Sequence, residues 1–160
     1  MLDATQTNAR PPDAEGGRTP APALQVVGRL RVIYGDTDQM GFVYYANYLR
    51  YFEVARNELL RGIGISYRSF ESEHALLIPV AESFVKYRRP ARFDDELVLK
   101  AALSISGRAS ARFDYEIQRA EDSVRIVDGH TLHVCVDKSG KVQKIPDDVR
   151  AFLARAGIPG

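Results

Sequence analysis

Asp36 and Asp38 stand one residue apart between a hydrophobic segment, Arg31-Val32-Ile33-Tyr34, and an aromatic segment that opens at Asn47. Two carboxylates on a turn at an element boundary sit where functional residues concentrate, placed to act as acid, base or nucleophile. The bland alternative is a turn whose aspartates satisfy their own backbone through Asx hydrogen bonds. Gly41, Tyr44 and Asn47 follow closely in the same segment. Phe42 and Tyr44 add apolar surface of the kind that lines ligand pockets.

Other groups carry weaker signals. Lys86-Tyr87-Arg88-Arg89-Pro90-Ala91-Arg92 is the densest basic cluster, with Arg108 and Arg112 a sparser one; by themselves both read as solvated strand ends. His130 and His133 are spaced like a metal pair, but residues three apart on a strand face opposite sides, so a shared ion is not expected. Cys135, within an apolar strand, reads as packing rather than as a nucleophile. Glu53 and Arg56 lie three apart and form a solvated or interface pair.

The elements that must position the turn follow from periodicity. Val26, Val27, Leu30, Val32 and Ile33 predict a first strand. Tyr48, Tyr51, Phe52, Ala55 and Leu59 recur at three- and four-residue steps and predict a helix from Asn47 to Arg61. On that helix Arg50, Glu53, Arg56, Asn57 and Glu58 point away from the apolar stripe, Asn47 caps the start and Gly62 ends it. A short helix is expected from Ser66 to Glu73. Strands are expected near Leu76 to Arg88, Glu96 to Ser106, Ala109 to Arg119 and Val124 to Val136. Turns fall at Arg89-Pro90, Ser106-Gly107, Ala120 to Asp122 and Asp137 to Gly140, before a final helix that Pro146 opens. Residues 1 to 23, rich in Pro, Gly and Ala, read as a disordered tail, which leaves one domain over 24 to 160. This is α+β: an antiparallel five-stranded sheet packed on one long central helix. Its uncovered edges predict an oligomer, with the sheet continued across a two-fold axis.

Composition removes several classes. One cysteine in 160 residues excludes an intramolecular disulfide framework and multi-thiolate metal sites, so a reducing compartment, the cytoplasm, is expected. No apolar run approaches the ~20 residues of a membrane helix, and the N-terminus lacks the layout of a signal peptide. A net charge of +1 supplies no global pull toward nucleic acid or anionic lipid.

From about Arg29 to Leu153 the chain resembles the hotdog-fold acyl-CoA thioesterases of the 4-hydroxybenzoyl-CoA thioesterase type, a group that includes the bacterial Tol-Pal-associated acyl-CoA thioesterases. Three ordered blocks carry the resemblance. The first is Tyr34, Asp36, Thr37, Asp38, Gly41, Val43, Tyr44, Asn47 and Tyr48; the second is Tyr51, Phe52, Glu53, Ala55 and Arg56. The third is Phe84 to Tyr87 with Pro90, Ala91, Arg92, Asp94 and Asp95. The resemblance implies hydrolysis of an acyl-CoA thioester to CoA and a carboxylic acid by a homodimer or homotetramer, with no metal or redox cofactor.

It implies that Asp38 is the catalytic carboxylate, as nucleophile or as base to water, with Asp36 as scaffold. The backbone N–H of Tyr45 would polarise the thioester oxygen, as orphan N–H groups at a helix N-terminus can. Gly41, Phe42, Val43 and Tyr44 would line the substrate, and Arg88, Arg89 and Arg108 are candidates for the CoA phosphates. The Tol-Pal-associated branch usually has histidine where this chain has Tyr45, while the 4-hydroxybenzoyl-CoA branch has tyrosine. A backbone N–H survives either.

A strand followed by Asp-x-Asp also opens Mg²⁺-dependent aspartyl phosphatases, but these need alternating strands and helices, which the strand run after residue 76 does not supply. A hotdog dehydratase or hydratase, which pairs aspartate with a nearby histidine, and a non-catalytic acyl-CoA-binding subunit are the remaining alternatives.

Overall fold

A computed structural model describes residues 22–159. Along the chain come β1 (Gln25–Arg31), a 3-10 turn (Tyr34–Asp36), α1 (Asn47–Gly62), α2 (Tyr67–His74), β2 (Leu76–Leu77) and β3 (Val80–Tyr87). They are followed by β4 (Glu96–Ile105), β5 (Ser110–Arg119), β6 (Arg125–Val134), β7 (Val136–Asp137) and α3 (Asp147–Arg155). Five strands form one antiparallel sheet in the spatial order β1-β4-β5-β6-β3, and β2 pairs with β7 separately. The architecture is α+β, a five-stranded antiparallel sheet with three helices.

Alternation in β4 and β5 places one apolar row on the inner face. Leu97, Leu99, Ala101, Leu103 and Ile105 are buried, and the last four of these register against Ile117, Tyr115, Phe113 and Ala111. The stripe of α1, Tyr48, Tyr51, Phe52, Ala55, Leu59 and Leu60, is buried as well, and α1 packs on β1, β4 and β5. Phe52 stacks on Tyr115 with ring centroids 4.4 Å apart. Each large side chain so buried contributes roughly 1.5–3 kcal/mol. Gly129 on β6 permits a close approach, since a Cβ there would run into the Phe84 carbonyl and meet the Phe52 ring.

Several boundaries differ from those the sequence predicts. The strand expected over Leu76 to Arg88 is two, because Pro79 cannot donate to a ladder; β2 pairs with β7 and β3 with β6. The strand expected over Val124 to Val136 likewise breaks at Cys135, whose N–H turns to the Ala109 carbonyl. β1 stops at Arg31, where the chain tightens toward the 3-10 turn. Gly62 lies inside α1, and the positive φ after the helix falls on Gly64. Arg56 does not point to solvent: its guanidinium lies over the rings of Tyr67 and Phe113. The expected tail lies outside the described residues apart from Pro22 and Ala23. Among the described residues no helix is long and apolar enough to cross a membrane.

Candidate active site

The turn after β1 closes into a compact loop. Thr37 and Val43 form an isolated antiparallel bridge, Asp38 N–H donates to the Phe42 carbonyl at 2.9 Å, and Gly41 N–H donates to the Asp38 carbonyl at 2.9 Å. Gly41 takes φ +75°, a conformation that a side chain would strain. The Asp38 carboxylate accepts the Met40 N–H at 2.8 Å through Oδ1; Oδ2 takes no hydrogen bond from the described residues. Half of that carboxylate is spent on its turn and half is open.

Asp36 faces the other way and is 4% exposed. Its Oδ2 accepts the Tyr51 hydroxyl at 2.7 Å and its Oδ1 pairs with the Arg50 guanidinium. Its backbone carbonyl accepts both the Tyr44 N–H and the Asn47 side-chain amide, each at 2.9 Å. Asn47 therefore does not cap α1 with its side chain. Ala46 occupies the cap with no side-chain bond, and the N–H groups of Tyr45 and Ala46 find no acceptor among the described residues. Unpaired donors at a helix N-terminus favour negative charge, and the Asp38 loop leads into that terminus along the chain.

Burial, followed by donation to the Asp36 carboxylate, pushes the Tyr51 phenol well above its ordinary value. The Tyr44 phenol is also raised, first by hydrogen bonding with Tyr45 and least by the charge of Asp38.

The structure gathers most of the residues singled out from the sequence at one end of the sheet. Tyr44 and Tyr45 are exposed with rings 4.6 Å apart. Phe42 lies under the Arg92 guanidinium at 4.5 Å, and Val43 is buried with its N–H on the Ala91 carbonyl at 2.9 Å. Arg88 and Arg89 lie just before that Ala91 contact. Arg88 is held by Asp128 through two bonds of 2.6 and 3.1 Å, and Arg89 reaches back to the Arg88 carbonyl at 2.9 Å. Arg108 is elsewhere, in the β4–β5 turn at the opposite end of β4, a strand that spans roughly 30 Å.

His130 pairs with Glu82 and His133 with Thr131 and the Ile78 carbonyl, and no metal-ligand cluster occurs among the described residues. Cys135 is 1% exposed and its thiol is pushed up by burial.

Sequence reasoning missed three participants. Arg50 was assigned to solvent by helical periodicity, which cannot see a carboxylate arriving from another segment. Arg92 against Phe42 and the Tyr87 hydroxyl, which donates to the Tyr45 carbonyl at 3.3 Å, are likewise tertiary contacts. Their place in the third matching block is the sequence signal that Arg92 and Tyr87 carry.

Residues 32–153 match the thioesterase-like superfamily. The chain belongs to that superfamily. It is 35% identical over 108 residues to the acyl-CoA thioester hydrolase YbgC of Escherichia coli, covering 68% of this chain and 79% of that one. It is 31% identical over 130 residues to a putative esterase of Aquifex aeolicus, covering 81% and 98%. Its fold matches that of a 1,4-dihydroxy-2-naphthoyl-CoA thioesterase from Synechocystis with a TM-score of 0.75, at 22% identity over 84% of this chain and 98% of the other.

Proposed function

We propose that this member of the thioesterase-like superfamily hydrolyses an acyl-CoA thioester to free CoA and a carboxylic acid, with Asp38 as the reacting carboxylate. The observation that carries the assignment is the pairing of a half-free carboxylate with unbonded N–H groups at the start of α1. Hydrolysis of a thioester builds negative charge on the carbonyl oxygen. The Tyr45 N–H, unbonded just before α1, takes that charge with the helix dipole behind it. Asp38 then attacks the carbonyl carbon or draws a proton from water. Gly41, Phe42, Val43 and Tyr44 form the wall next to the reacting carbon.

Arg88 and Arg89 supply cations at the same end for the CoA phosphates. Arg108, a strand length away, serves the substrate of a neighbouring protomer. Such a neighbour is expected: β3 ends the sheet with one flank unpaired and exposes Val80, Phe84 and Tyr87, which fits a homodimer, or a homotetramer of two such dimers. In this reading residues 24–160 are one domain whose sheet wraps α1 as its central helix, and the protein works in the cytoplasm.

The test is thiol release from a panel of short-chain, aromatic and long-chain acyl-CoAs by the wild-type protein and by Asp38→Asn, which preserves size and removes charge. Loss of at least ~100-fold in the variant is expected. Wild-type turnover by Asp38→Asn overturns the assignment, and CoA binding without thiol release from any member favours a binding subunit. In a single turnover in ¹⁸O-labelled water, label in the Asp38 carboxylate identifies a nucleophilic Asp38, through an acyl-aspartyl anhydride that water opens at the Asp38 carbonyl.

A further inference from the structure

We infer that Arg50, acting through Asp36, is a positioning residue that holds the Asp38 loop in register with the first turn of α1. This rests on the reading of Asp38 as the reacting carboxylate. The two halves of the site lie on different pieces of chain, Asp38 in the loop spanning 37–43 and the unbonded N–H groups at Tyr45 and Ala46. No hydrogen bond joins the Asp38 carboxylate to α1 among the described residues. The loop is fastened to the helix instead by Asp36. Four bonds run from this one residue, to Tyr44 N–H, the Asn47 amide, the Arg50 guanidinium and the Tyr51 hydroxyl. The backbone pair fixes how far the loop stands from the helix. The carboxylate pair fixes its rotation, because two donors on separate oxygens of a planar group leave it no free turn.

The members of this clamp differ in what they contribute to folding. Tyr51 is buried in the core, so its loss would disturb packing as well as geometry. The Arg50 side chain is 57% exposed, so its loss leaves the core packing in place, although the Asp36 carboxylate, 6% exposed, is then left with one charged partner fewer. Removing Arg50 therefore tests positioning apart from core packing once turnover is taken per folded molecule.

Reaction rates respond steeply to such placement, with ~1 Å of misalignment costing on the order of 100-fold. Arg50→Gln is therefore expected to lower kcat per folded molecule roughly tenfold with KM changed less than about twofold. Arg50→Lys keeps the charge and recovers part of the rate. The acid limb of the kcat/KM pH profile stays where it is in wild type, since the carboxylate is misplaced rather than retuned. Arg29→Gln removes an exposed pair, with Glu96, away from the loop and leaves turnover unchanged.

The inference is overturned if Arg50→Gln keeps kcat within twofold of wild type, if KM alone rises, if the acid limb moves, or if the rate lost matches the fraction of protein unfolded. Its failure is distinct from that of the functional reading. A dead Asp38→Asn beside a fully active Arg50→Gln removes only the clamp, and an active Asp38→Asn removes the reading beneath it.

Discussion

The two ends of α1 are held by opposite means. At its N-terminus directional bonds converge on Asp36, while Tyr44 and Tyr45 stay exposed and two N–H groups remain unpaired. At its C-terminus α2 and α3 pack around an apolar cavity of about 50 Å³, with Leu60, Phe70, Phe113, Cys135 and Leu153 in its wall. Apolar packing is strong but indifferent to small shifts, so it suits an end that has only to stay closed. Hydrogen bonds to a buried carboxylate are individually modest but fix angles, which suits an end that, in the proposed function, places a reacting group.

The sharpest way to break this contrast is to exchange the consequences. Asp38→Asn should lose at least ~100-fold in turnover with an unchanged melting transition. Phe70→Ala, at the other end, should lose about 3–5 kcal/mol of stability yet keep wild-type kcat per folded molecule. Calorimetry and thiol release on the same preparations check both, and a catalytic defect in folded Phe70→Ala would show that the ends are coupled.

Acid should act on the packed part first. Burial, the largest cause, holds the His133 imidazole below its ordinary 6.5, with the Ile78 carbonyl opposing. A histidine that is harder to protonate when folded favours the unfolded chain as it gains a proton. Its contribution is complete above about pH 6.5 and is lost as pH falls, by at most about 1.4 kcal/mol per pH unit. Chemical denaturation across that range should show the loss in wild type and a flatter profile in His133→Gln. The smallest effect should come from Ala111→Val, which places two methyl groups toward the cavity and should add ~0.5–1 kcal/mol without changing turnover. Destabilisation there would mean that the space cannot accept them.

Local signals made much of this legible in advance. The apolar stripe from Tyr48 to Leu59 marks α1 because helical spacing is written in the residues themselves, and the turns at Ser106-Gly107 and Asp137 to Gly140 carry their own chemistry. Pro79 was equally visible, yet the run around it reads as one strand until two different partners, β7 and β6, are seen to divide it.

The sequence by itself determined the α+β class, the helix α1, the compact turn carrying Asp36 and Asp38, and membership of the thioesterase-like superfamily, all of which rest on short-range patterns or on ordered motifs. Only the tertiary structure decided that Arg50 turns back to Asp36, that Arg56 stays among aromatic rings, that Asn47 bonds the loop instead of capping the helix, and that Arg108 lies a strand away. Periodicity reports which side of an element is apolar. Where a long polar side chain finds its partner depends on what the fold brings within its reach.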